Sequence, residues 1–429
     1  MNNYDYILKT LNIEDTNIEI NKIDFIDNTY YIHIYKNNLH DEYCPRCGSN
    51  SITTNNTYMR KIKDNPINGC PTFIIFHQKR LKCNLCNKSF NQSNTFVHKG
   101  CNISIRTKNL IVNESTLKQS FKDVSKRTNV SETTVSNEFK KKIHDYRCSL
   151  SRIICIDEFK ASTFACKYAL IIGDPTSGSI LDILPSRLQD YIYHYFDTID
   201  DDERSNVEFV VTDLFESYRT IVKNLFYKSI HVADKFHWVK LAVDAFNKTR
   251  ISIMKYYKAT KNSDSVFYAS ILKKHYKLLL VNKYAKESWF FDQMMSSNRK
   301  QFATYQSVID YCLEKNENFS EAYHFLQELY RISRYSSYET AKTDILRWCM
   351  QVEESDKAIP EFKKIILIYR AWINEIVNSF IIDPITHKRL SNGFIEGKNN
   401  LCKVIKRIGF GYSDFDVYRY KIINCNKQI

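Results

Sequence analysis

Three acidic residues occupy settings that suit divalent-metal chemistry on a phosphodiester. Asp157 ends the apolar run Arg152-Ile-Ile-Cys-Ile-Asp157, and Asp213 ends a second, Val207-Glu-Phe-Val-Val-Thr-Asp213. Glu396 lies far downstream in Ser391-Asn-Gly-Phe-Ile-Glu-Gly-Lys-Asn-Asn-Leu-Cys-Lys403, a stretch patterned as a basic helix. Magnesium or manganese takes oxygen ligands and seldom a complete protein cage, so carboxylates at the ends of neighbouring buried strands suit a pair of such ions. One strand-end Asp is commonplace. Two of them, with a Glu on a Lys-rich helix, predict a site for phosphoryl transfer on nucleic acid. On that helix Asn392, Glu396, Asn400, Lys403 and Arg407 fall at helical spacing and are expected on one face, with the cations toward a phosphate backbone.

The cysteines carry a different chemistry. Cys44-Pro-Arg-Cys47 and Cys83-Asn-Leu-Cys86 are two CxxC pairs, and Gly48 follows the first where a knuckle must turn. Two such pairs present four thiolates to one tetrahedral Zn2+, a closed site that serves folding rather than catalysis. Cys70, Cys101 and His77 are spare candidates that a complete four-sulfur set does not need. Thr72–Leu81 has the β-branched and aromatic content of a strand leading into the second pair, so residues 41–100 read as a zinc ribbon. The other cysteines are scattered singly, and a total of 13 is odd, which speaks against a disulfide framework.

The elements that must position these groups follow in order. Residues 1–40 are an N-terminal segment. Residues 101–148 hold a helix-turn-helix pattern: Ser120 caps Phe121–Arg127, Thr128–Val130 turns, and Ser131 caps Glu132–Lys142. Val135 and Phe139 would pack inward, leaving Thr133, Thr134, Ser136, Asn137 and Lys140 outward, side chains suited to a major groove. From residue 149 to 234 the texture is strand, strand, strand, helix, strand, helix, strand. This is the order of an α/β ribonuclease H-like catalytic core, in which the first and fourth strands lie side by side. No Gly or Pro occurs between Pro185 and Pro360, and residues 235–384 read as a large all-α insertion interrupting that core. All four Trp fall in this block, either as core or with one stacking on an unpaired base. Residues 385–429 would then return to the core with the Glu396 helix.

Composition agrees with a polyanionic partner. Lys and Arg total 62 against 48 Asp and Glu, a formal charge of +14. Residues 41–148 alone hold 19 basic and 8 acidic residues. No apolar run reaches the roughly 18 residues of a membrane span, and the polar N-terminus predicts no signal peptide. A cytoplasmic protein is expected.

Taken together, the zinc ribbon, the helix-turn-helix, Ile156-Asp-Glu-Phe159, Thr212-Asp-Leu214 with Tyr218, Ala233-Asp-Lys-Phe-His237 and Ser391–Asn399 resemble bacterial DDE transposases of the insertion-sequence ISL3 family. The resemblance implies catalytic, metal-holding roles for Asp157, Asp213 and Glu396, and places Asp234 and His237 beside the active site. It also implies a bacterial protein, nucleoid-associated when on DNA, and binding to double-stranded DNA, both terminal inverted repeats and target, by a homo-oligomer. Leu184-Pro-Ser-Arg187 departs from the family pattern, which has Gly before the Arg. A non-catalytic DNA-binding regulator descended from a transposase, and a structure-selective nuclease of the same fold, are the competing readings.

Overall fold

The computed structural model describes residues 5–13, 17–39, 41–143, 147–260, 262–285, 291, 293 and 302–427. These form two compact units: residues 1–146 with 402–429, and residues 147–401. The C-terminal 28 residues thus group with the N-terminal part, and the helix carrying Glu396 begins in one unit and ends in the other.

The N-terminal unit opens with α1 (Asp5–Thr10) and the hairpin β1 (Ile18–Ile26) and β2 (Thr29–Lys36). Asp27 and Asn28, both at positive φ, make the two-residue turn whose twist suits a hairpin. A longer hairpin follows, β3 (Ile52–Ile67) and β4 (Cys70–Cys83), with short β5 (Ser89–Asn91) at the side of β4. The order is β1-β2-β4-β3, and β2 runs parallel to β4. Ile32, Ile34, Ile62, Ile74 and Phe76 alternate onto one face and bury with Phe96, Val97 and residues of α1. Three helices follow: α2 (Ile105–Ser115), α3 (Phe121–Thr128) and α4 (Glu132–Lys140). Ser120 and Asp123 form the anticipated capping box, Asn129 ends α3 in the left-handed conformation, and Ser131 caps α4. Val124, Val130 and Val135 pack on Ile111 of α2.

The second unit begins with β6 (Ile153–Lys160), β7 (Tyr168–Asp174) and β8 (Ser179–Leu184), an antiparallel meander. Then come α5 (Gln189–Asp197), the short α6 (Asp201–Ser205), β9 (Phe209–Thr212), α7 (Glu216–Leu225) and β10 (Ile230–Ala233). The sheet order is β10-β9-β6-β7-β8, with β9 parallel to both β6 and β10. Ile154 and Ile156 face α5 and α7, burying against Phe196, Tyr218 and Leu225. Cys155 is buried too, with its thiol against the Ser391 carbonyl. Cover on both faces is why β6 reads as an unbroken apolar run.

A helical block follows: α8 (Lys235–Ala259), α9 (Ser263–Lys274), α10 (Tyr276–Leu279), α11 (Tyr305–Lys315), α12 (Glu317–Tyr335), α13 (Tyr338–Glu354), α14 (Pro360–Ala371) and α15 (Ile373–Asn378). Its core includes Trp238, Trp348 and Trp372. The indoles of Trp238 and Trp348 donate inward, to the Ser379 hydroxyl and the Phe325 carbonyl. Those three are therefore core residues, and Trp289 lies outside the described residues. The chain closes with α16 (Gly393–Ile408) and α17 (Phe415–Lys427).

Candidate active site and metal centres

Pairing of β6 with β9 sets Cys155 opposite Val211, so Asp157, still inside β6 and opposite Ile171 of β7, and Asp213, just past β9, come together beyond the end of that ladder. Asp213 follows β9 directly, and Asp234 follows β10 as the residue that opens α8. The first turn of α8 then brings in His237. Ligand atoms of Asp157, Asp213 and His237 all lie within 4.8 Å of one another, with His237 Nδ1 at 3.8 Å from Asp213 Oδ2. Two carboxylates and an imidazole converge although they are 56 and 24 residues apart in the chain.

Asp157 is held at both oxygens. The Glu158 amide donates to Asp157 Oδ1 at 2.7 Å, and the Asn399 amide donates to Oδ2 at 3.0 Å. Burial raises the Asp157 carboxyl above its ordinary range against those donors and His237. Burial, with the nearby charges of Asp157 and Glu158, lifts Asp213 to about 6 despite His237. Asp213 Oδ1 is buried with no hydrogen-bond partner among the described residues. Asp234 is nearly inaccessible, its Oδ1 accepting the Asn392 amide at 2.8 Å, and burial raises its carboxyl as well. It ties the α16 entrance to β10 rather than joining the cluster.

The placement of α16 depends on Gly173. A Cβ there would meet the Phe394 ring at 2.6 Å, so only Gly in β7 lets the first turn of α16 lie on this sheet face. The expected stripe is redistributed. Asn392 precedes the helix and is buried, its side chain donating to the Ile156 carbonyl at 3.1 Å. Glu396, Asn400, Lys403 and Arg407 are exposed, and Glu396 is not in the Asp157 cluster. Asn399, which the sequence reading passed over, is the residue that touches Asp157. Its signal was available: an Asn on the buried face marked by Ile395 and Cys402 must have a partner.

Further charged and polar groups lie near the two aspartates. Arg187 pairs with Glu158 and stacks on Tyr168, its guanidinium 4.6 Å from the ring centre. Glu158 Oε2 and the Tyr218 hydroxyl are buried without partners among the described residues, like Asp213 Oδ1.

The four CxxC thiols come together in the N-terminal unit. Cys44 and Cys86 sulfurs stand 3.4 Å apart, and Cys47 and Cys83 3.6 Å apart. Tetrahedral zinc with 2.3 Å bonds needs sulfurs separated by about 3.8 Å, so the cluster is compatible with a single ion. Gly48 and Asn87, both at positive φ, close the two knuckles, the Gly48 and Asn87 amides returning to the Cys44 and Cys83 carbonyls. Cys70, Cys101 and His77 are outside it, and His77 instead meets His33 at 3.2 Å.

On α4, Val135 and Phe139 are buried, and Thr133, Thr134, Ser136 and Asn137 are exposed or half-exposed as expected. Lys140 is committed to Asp414, at 2.9 Å. Among the described residues no helix is long and apolar enough to cross a membrane.

Two carboxylates beside the β6–β9 pair and a histidine within reach of both make a group that could hold a metal ion in a mixed sheet. Residues 154–422 match the family model for ISL3-type DDE transposases, described as transposase, and the chain belongs to that family. It is also similar to the transposase for insertion sequence element IS1001 of Bordetella parapertussis. The two are 20% identical over 384 residues, covering 88% of this chain and 87% of that protein.

Proposed function

We propose that the protein binds the terminal inverted repeats of an insertion sequence and catalyses metal-dependent DNA cleavage and strand transfer from a ribonuclease H-like core. In this reading residues 235–384 are an insertion in the core. The observation that carries the catalytic part is the convergence of Asp157 in β6, Asp213 just past β9 and His237 in the first turn of α8, in a transposase. The buried, unpartnered Asp213 Oδ1 and the raised carboxyls of Asp157 and Asp213 fit a divalent cation as their partner. Two carboxylates favour Mg2+ or Mn2+, and the four thiols favour Zn2+.

Asp157 and Asp213 would hold the catalytic ions, with Glu396 completing the set from the exposed face of α16. Bound divalent metal would supply charge stabilisation at phosphorus and lower the proton affinity of the attacking oxygen. Asn399 and the Glu158 amide fix which Asp157 oxygen faces the site. Asp234 fixes the start of α16, and so the reach of Glu396. Cleavage forms a P–O bond from water and breaks the P–O3′ bond, leaving a 3′-hydroxyl. Strand transfer repeats the exchange with that hydroxyl on target DNA. The helices α3 and α4 act as a helix-turn-helix, Asn137 and its neighbours reading base edges while Lys403 and Arg407 contact phosphates. A homo-oligomer on DNA would hold two ends together.

A second assignment of the ligand set rests on a specific observation: His237, not Glu396, lies within ligand distance of both aspartates. Cleavage of a labelled duplex from the element's end, in Mg2+, tests both. Asp157→Asn and Asp213→Asn should abolish cleavage while leaving DNA binding within about twofold. Loss in Glu396→Gln with activity kept in His237→Ala supports the three-carboxylate set, and the reverse result replaces Glu396 by His237. Cleavage by both aspartate variants at the wild-type rate refutes the catalytic reading.

A further inference from the structure

The N-terminal sheet buries one face and leaves the other partly exposed. Register places Lys61, Met59 and Lys63 of β3, Phe73, Ile75 and His77 of β4, and Tyr31 and His33 of β2 on that second face, where Ile75 is covered and Met59 and Lys61 are exposed. Tyr31 and Phe73 are stacked, with ring centres 5.7 Å apart at 15°. The Lys61 ammonium sits over them, 4.0 Å from the Phe73 ring centre and 5.0 Å from Tyr31. No carboxylate pairs with Lys61 or Lys63 among the described residues. Lys61 is exposed, so its charge is held in place but not neutralised.

The same face runs into the three-helix segment. A groove of about 500 Å³ is lined by Lys61, Lys63 and Phe73 on the sheet side and by Asn102, Ser131 and Thr134 on the other. Lys63 fixes the junction. Its ammonium donates to the Asn129 carbonyl at 2.9 Å, and its backbone bonds to Asn102 and Ser104. The turn between α3 and α4 is thereby anchored to β3, and the groove is a built feature of one unit.

We propose that this groove and the adjoining sheet face bind the sugar-phosphate backbone of duplex DNA beside the base pairs that α4 reads, with Lys61 as the central phosphate contact. The proposal rests on the reading of α4 as a recognition helix. Charge complementarity names the occupant. The exposed Lys61 ammonium, with the Lys63 charge behind it bonded to the Asn129 carbonyl, suits a polyanion, and a neighbouring recognition helix makes that polyanion a duplex. A cation pre-positioned on an aromatic platform gives up less side-chain freedom on binding than a free lysine. The contact would be sequence-independent and would set the register in which Thr133, Thr134 and Asn137 meet base edges.

The test measures fluorescence-anisotropy binding of the full-length protein to two duplexes across a salt series: one from DNA bordering the coding sequence, one unrelated of equal length. Lys61→Ala should weaken both by about tenfold and make the salt slope shallower by about one. Lys61→Arg should stay near wild type. Should Lys61→Ala lose zinc or helical signal, Lys61→Met, which keeps the apolar stem over Phe73, should show the same tenfold loss and shallower slope with the fold intact. Asn137→Ala is measured alongside, because selective loss on the bordering duplex with an unchanged slope reports on the recognition helix alone. Either reading can therefore fail by itself. Lys61→Met that binds within twofold of wild type with an unchanged slope, or that weakens only the bordering duplex, overturns the phosphate contact.

Discussion

Replacing Asp213 by Asn should stabilise the metal-free protein near pH 8 while abolishing its chemistry. The carboxyl is lifted from 3.8 to about 6, chiefly by burial and then by the charges of Asp157 and Glu158, with His237 opposing. Each pH unit is worth 1.36 kcal/mol, so keeping Asp213 ionised costs about 3 kcal/mol of folding stability. The amide removes that cost but places a neutral polar group where Oδ1 already has no partner, which takes back on the order of 1–2 kcal/mol. A net gain of about 1–2 kcal/mol remains. Because the folded-state value lies above the unfolded one, the cost is full above about pH 6, shrinks as pH falls toward 3.8, and is gone below it. The advantage of the variant should shrink along the same path. Urea denaturation of chelator-treated wild type and Asp213→Asn between pH 4 and 8 measures it. Adding Mg2+ should raise the stability of wild type only, since the ion binds the folded carboxylates. A variant less stable than wild type near pH 8, or a gap that does not change with pH, would refute the claim that an uncompensated charge is stored at this site.

Three further outcomes are expected. Purified protein should carry about one zinc per chain, and Cys44→Ser with Cys83→Ser should lose it and unfold the knuckles, read by metal analysis and protease sensitivity. Gly173→Ala should press on the Phe394 ring, displace the start of α16 and cost at least tenfold in cleavage with duplex binding unchanged, because a rigid aromatic cannot absorb a 2.6 Å approach. Asn399→Ala should lower the rate and raise the Mg2+ concentration needed for half-maximal cleavage, whereas Asn400→Ala, exposed one residue on, should leave both unchanged.

Local rules made several elements legible. The CxxC pairs had to meet because four thiols at knuckle spacing share one chemistry, and they do. The capping box of Ser120 and Asp123, the Ser131 cap and the turn between them fixed α3 and α4 within a residue or two. Apolar runs ending in Asp marked β6 and β9, but β9 stops at Thr212, one residue short of Asp213, while β6 runs on past Asp157 to Lys160 in its pairing with β7. The N-terminal hairpin β1–β2 was passed over although Tyr30–Tyr35 alternates and Asp27-Asn28 is a hairpin turn. Its partner strand β4 lies some 40 residues away, and parallel pairing leaves no local mark.

What the sequence alone determined about this protein was the list of chemical groups and the periodic elements that carry them: two thiol knuckles, two strand-end aspartates, a basic helix bearing Glu396. Which groups meet was decided only by tertiary structure. Helical spacing put Asn392 and Glu396 on a common stripe, yet Asn392 turns into the core before the helix begins and Asn399 takes the place beside Asp157. His237 joins the aspartates because β10 delivers α8 to the same sheet edge. Periodicity within one helix says which residues share a face. The direction of that face is set by what the helix packs on, here the space over Gly173 that admits Phe394, and that contact spans more than 200 residues of chain.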